Sequence, residues 1–107
     1  MTSESIREQQ SKLKVQYREH PESALQTMAV TGEVTQPSYT IKLPTHIGHV
    51  VAGLHPAAGG DGSHACSGDM LLEALIGCAG VTLAAVATAM RITLSKAEIS
   101  ASGDLDF

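Results

Sequence analysis

Aromatic residues are nearly missing from this chain: 107 residues hold no tryptophan, one phenylalanine and two tyrosines. Positive charge is also scarce, with 7 Lys and Arg against 11 Asp and Glu and a formal net charge of −4. A nucleic-acid interface needs a basic patch and uses aromatic stacking residues, so nucleic acid is excluded as a partner. The opening M-T-S-E-S-I-R-E is polar and acidic, unlike a secretory signal, and a cytoplasmic protein is expected. Only Cys66 and Cys78 carry thiols. In a reducing compartment such a pair serves chemistry or packing, not a structural bridge. At this length one domain at most fits, with a core of modest size.

What the chain does have is one long apolar stretch entered from a glycine-rich loop, G-G-D-G-S-H-A-C-S-G-D-M-L-L-E-A-L-I-G-C-A-G-V-T-L-A-A-V-A-T-A-M, from Gly59 to Met90. From Met70 to Met90 there is no proline and Glu73 is the only charge. Alanine and leucine favour a helix of about twenty residues, about 30 Å long. Ser67 fits an N-cap, Asp69 puts a carboxylate in the first turn, and Arg91 stands where it could meet the last carbonyls. The apolar residues go all the way round, which predicts burial on most sides. Cys78 lies mid-helix on a stripe with Leu71, Leu75, Thr82 and Ala85, and Gly77, Ala79, Gly80 and Ala84 would let another backbone, such as a second copy of the helix, approach. The segment is long enough to span a bilayer. Alanine, glycine, threonine and Glu73 dilute it, and neither flank is rich in Lys or Arg, so no membrane span is expected.

Around this helix the chain reads in order. Residues 3–19 form a polar amphipathic helix with a Ser5/Glu8 capping box and a thin stripe of Ile6, Leu13 and Tyr17; His20-Pro21 ends it, so 1–24 is a helical segment. Alternation in 28–34 and 39–43, a turn at Gln36-Pro37, a break at Pro44 and a third run over 46–54 predict an antiparallel meander with one apolar face, covered by the central helix. Residues 97–107 alternate without a fault, Ala97, Ile99, Ala101, Gly103, Leu105 and Phe107 against polar neighbours, and predict a further strand. The chain stops inside that pattern. It is expected to be part of a longer protein, or one whose sheet a partner chain completes. The fold class is α+β.

The meander, the glycine-rich loop and G-D-M-L-L-E-A-L-I-G-C-A-G-V-T-L-A-A-V-A together resemble the OsmC/Ohr superfamily, whose members carry a similar acidic-L-L-x-A-L-x-x-C segment on a central buried helix. L-K-V-Q-Y-R-E-H-P-E-S-A-L, G-L-H-P-A-A-G-G-D-G and S-G-D-L-D-F resemble one OsmC-like branch with an N-terminal helix, and the likeness runs from about Leu13 to Phe107. The resemblance implies a single OsmC-like domain, here its N-terminal part, that forms an intertwined homodimer. It also implies thiol-dependent reduction of organic hydroperoxides, an oxidative-stress function. Cys78 matches the peroxide-attacking cysteine. Its thiolate would attack the O–O bond and become a sulfenic acid; a resolving cysteine, which in the family lies beyond the position of Phe107, would form a disulfide reduced by an external dithiol. Family members pair the thiolate with an arginine from the early strands, but no arginine occurs between Arg18 and Arg91, and Lys42, the one cation of the meander, alternates onto its polar side. The family glutamate ten residues before the cysteine is Gly68 here, with Asp69 beside it as a stand-in.

Three site residues follow: Cys78 as nucleophile, Cys66, and Asp69. Cys66 precedes the helix, where backbone N–H groups favour a thiolate; the other reading is an ordinary loop cysteine. Twelve residues of continuous helix would hold it about 18 Å along the axis from Cys78, too far for a disulfide within the chain. His55, His64 and Cys66 (H-x8-H-x-C) match no zinc spacing and no fourth ligand is evident, so neither metal nor cofactor is expected. The loop G-G-D-G-S-H lacks the motifs of nucleotide sites and reads as a turn. Two other functions stay open: a non-catalytic OsmC-like protein that binds an apolar small molecule at the dimer interface, with both cysteines structural, and a fragment without activity of its own.

Overall fold

A computed structural model describes residues 2–107. It is an α+β fold: an N-terminal helix α1 (Ser3–Glu19), four strands β1 (Glu33–Thr35), β2 (Thr40–Thr45), β3 (Gly48–Gly53) and β4 (Ala65–Cys66), and a long helix α2 (Ser67–Ala89). Two compact parts divide the chain. One joins the residues up to Met28 with Gly77–Ser100, and the other joins Ala29–Ile76 with Ala101–Phe107.

In the first part, α1 opens with a reciprocal capping box. Thr2 Oγ1 accepts from the Ser5 N–H at 3.0 Å, and Ser5 Oγ accepts from the Thr2 N–H at 3.0 Å. The box is therefore Thr2/Ser5, not Ser5/Glu8: with helical residues from Ser3 onward, Ser5 stands at the third position and cannot be the cap. Of the expected stripe, Ile6 is buried, Tyr17 half-buried and Leu13 exposed. Pro21 ends the helix by forcing His20 out of helical geometry, and a 3-10 turn follows over Pro21–Ala24. The end of α2 is a Schellman motif. The Ile92 N–H donates to the Ala87 carbonyl at 2.8 Å, the Arg91 N–H to the Thr88 carbonyl at 3.0 Å, and Arg91 takes the left-handed conformation at φ 60°. Arg91 thus does not cap α2 with its side chain, which reaches Glu4 at 3.5 Å. The guanidinium at the terminal carbonyls is that of Arg7, which donates to Ala89 O at 3.4 Å.

In the second part the sheet order is β1-β2-β3-β4, antiparallel for the first three strands and parallel for β3 and β4. The expected meander is present, with altered limits. Residues 28–32 are not strand, and Tyr39 sits in the β1–β2 turn at φ 53° instead of in β2. Pro44 does not break β2 but pairs with His49. It is tolerated because β1 reaches only as far as Lys42, so Pro44 has no strand on its other side that needs its missing N–H. Ile41 opposite Ala52 and Leu43 opposite Val50 make the apolar face; Ala52 is buried and the other three are half-buried.

Two expectations fail for one physical reason. Residues 97–107 form no strand. Their alternation is used against α2 instead. Ile99 Cδ1 lies 3.7 Å from where a Cβ on Gly80 would stand, Leu72 Cδ2 lies 3.9 Å from that point on Gly103, and Leu105 Cδ2 lies 3.9 Å from it on Gly68. A strand needs a hydrogen-bonded neighbour, and side-chain periodicity does not supply one. Nor is α2 buried on most sides. Leu72, Ile76, Gly80 and Ala87 are half-buried or buried, but the face with Cys78 carries Leu71, Leu75, Val81 and Val86 at 73, 60, 72 and 50 % exposure. Among the described residues only Ile6, Ala52 and Ala87 are buried apolar side chains. The chain exposes 8919 Å²; two compact bodies of half its length would expose about 6,800 Å² together. By length and composition α2 could cross a membrane, a test that the core helix of a soluble protein also passes.

Candidate functional site

The candidate site starts at the end of β3, where Leu54-His55-Pro56 leaves the sheet. Pro56 begins a short 3-10 turn over Pro56–Ala58, and His55 caps it: Nδ1 accepts from the Ala57 N–H at 2.9 Å. The turn closes on Gly59, left-handed at φ 101°, and the Gly60 N–H donates to His55 O at 3.1 Å. A Cβ on Gly60 would land on the Leu54 carbonyl, so this loop needs glycine for close backbone approach and not for an anion. His55 stacks on Phe107, ring centroids 4.9 Å apart and planes 24° from parallel.

That aromatic pair lines an open cleft of about 340 Å³. Cys66, at the end of β4, Gly68 and Asp69, in the first turn of α2, and the apolar Leu72 and Leu105 also line it. Cys66 Sγ lies 3.7 Å from where a Cβ on Gly68 would stand, so a glycine there leaves room beside the thiol. Cys66 is half-buried and Asp69 exposed. Because α2 begins at Ser67, Ser67 is the first helical residue and not the expected N-cap, and Cys66 immediately precedes the helix. Two of the three expected site residues, Cys66 and Asp69, thus share one cleft. Cys78 is not among its lining residues: it is an exposed thiol on the outward face of α2. Both cysteines are free.

A second cluster lies in the loop. Ser63 Oγ donates to Asp61 Oδ1 at 2.5 Å and stands 2.9 Å from His64 Nδ1, and the Ser63 N–H also donates to Asp61 Oδ1 at 2.9 Å. The Ser63 hydroxyl and N–H hold the Asp61 carboxyl below its ordinary value. A nucleophilic triad needs the carboxylate on the histidine and the histidine as acceptor from the serine. Here the carboxylate itself accepts the hydrogen bond of the serine hydroxyl, so the arrangement is an Asx turn. His55 and His64 line different clefts, and among the described residues no three His, Cys, Asp or Glu side chains are grouped to hold a metal ion. His46 is in the β2–β3 turn and His49 is exposed on β3.

His55 and Phe107 were not legible as site residues. Fifty-two positions separate them, and no periodicity links a turn-capping histidine to the end of an alternating segment. Compared with protein families, with characterised proteins and with solved structures, the chain finds no match.

Proposed function

We propose that the chain is an OsmC-like thiol-dependent peroxidase that reduces organic hydroperoxides in the cytoplasm as part of an oxidative-stress response. It acts as a homodimer, with Cys78 as the attacking thiol. The observation that carries this reading is the position of Cys78, a free thiol on the one face of α2 that the chain leaves apolar and exposed. A second copy laid on that face would give the thiol a dry, apolar surround suited to an alkyl or aryl hydroperoxide.

The Cys78 thiolate attacks the distal peroxide oxygen, the O–O bond breaks, the alkoxide takes a proton and leaves as alcohol, and the sulfur becomes a sulfenic acid. An external dithiol then restores the thiol: its first sulfur displaces water from the sulfenic acid, and its second breaks the mixed disulfide. The matching experiment is stopped-flow reaction of the reduced chain with cumene hydroperoxide, read as loss of free thiol, beside Cys78→Ser and Cys66→Ser. Fast consumption lost only in Cys78→Ser is expected. Thiols that react no faster than free cysteine would sink the peroxidase reading.

The same exposed face also favours a non-catalytic protein that binds an apolar small molecule at the dimer interface. The missing arginine in the meander fits that second reading better, and thiol reactivity separates the two.

A further inference from the structure

The cleft at the start of α2 has features that Cys78 chemistry does not use, and what it takes can be argued without the peroxidase reading. We propose that it binds a small aromatic molecule without negative charge, seated against Phe107 with Cys66 at its edge.

Four observations converge on that ligand class. The volume, about 340 Å³, lies in the range of small-molecule sites and suits a molecule of two fused or linked rings. The walls hold apolar surface that water covers poorly: Leu71 is 73 %, Leu105 63 % and Phe107 62 % exposed, and covering them is the driving force for a ligand. The stacked pair of His55 and Phe107 already lines the cleft, and a ligand ring can extend it in offset or edge-on contact. The Cys66 thiol in the lining adds a polarisable sulfur that aromatic edges favour.

Charge sets the sign. The lining has no Lys or Arg; its charged residues are the carboxylates Asp69 and Asp104. A carboxylate, sulfonate or phosphate ligand would meet two like charges in the lining.

N-phenyl-1-naphthylamine and 8-anilino-1-naphthalenesulfonate share one ring scaffold and differ in the sulfonate, so the pair tests size and charge together on the full chain. The uncharged amine is expected to bind with saturable fluorescence, and the sulfonate about tenfold more weakly. Gly103→Leu should cost the amine about tenfold, because a side chain there grows beside Leu72 into the cleft. In a Cys78→Ser chain, the amine should slow alkylation of Cys66 by N-ethylmaleimide over the concentrations that saturate the fluorescence. This protection decides the matter even if Gly103→Leu loses helix content by circular dichroism. Binding that leaves Cys66 alkylation unchanged would place the probe elsewhere, on the exposed face of α2, and overturn the proposal. So would absence of binding, or a sulfonate that binds as well as the amine.

Discussion

If a second copy covers the Cys78 face of α2, Leu75→Gln should dissociate the dimer. Leu75 is 60 % exposed in the single chain. Full burial of a leucine is worth about 1.5–3 kcal/mol, so completing its burial contributes about 1–2 kcal/mol per copy. A twofold interface holds the residue twice, which makes the loss about 3 kcal/mol, or roughly a hundredfold in dissociation constant. Glutamine nearly keeps the volume and favours the helix almost as well, so an isolated chain should hardly register the change. The assay is sedimentation velocity over a concentration series, beside circular dichroism of both forms. Val81→Thr, at a residue 72 % exposed, should weaken the dimer in the same direction by a smaller factor, because threonine matches valine in shape and differs by a hydroxyl. A wild-type chain that stays monomeric at high concentration would refute the reasoning at its root. A dimer unmoved by either substitution would refute the assignment of the interface to this face.

Two other outcomes follow from the loop. Gly60→Ala should destabilise the sheet part by about 2–4 kcal/mol in urea unfolding, because its Cβ meets the Leu54 carbonyl and the Gly60–His55 hydrogen bond is lost as the loop shifts; a midpoint equal to wild type would disprove that packing. Asp61, held below its ordinary pKa of 3.8 by Ser63, contributes stability that is present above the unfolded value and lost as pH falls through the folded one. Ser63→Ala should raise the Asp61 midpoint toward its ordinary value in a carboxyl NMR titration and reduce this loss on acidification, and an unmoved midpoint would show that Ser63 is not its partner.

Local chemistry made much of the fold legible. Pro21 ends α1 because it constrains the residue before it, and the proline-free run after Gly68 is one helix because nothing in it breaks the hydrogen-bond ladder. Gly59 and Gly60 stand where the backbone needs them. The errors fall where a pattern specifies a face and not its partner. The alternation of 97–107 is real, yet Ile99 and Leu105 lie on α2, since a period of two says only which side is apolar.

The candidate site divides the same way. Cys66 and Asp69 could be placed beside each other from the helix start alone, and Cys78 on the apolar stripe of α2 from its spacing. That His55 and Phe107 stack and line the same cleft as Cys66 required the tertiary structure, because the contact joins a capped turn to a distant segment with no shared periodicity. By itself the sequence determined where helices and turns form, through backbone preferences that act within a few residues. The tertiary structure decided which apolar faces the chain covers itself and which it leaves open at Cys78, because burial depends on surfaces brought together from distant positions.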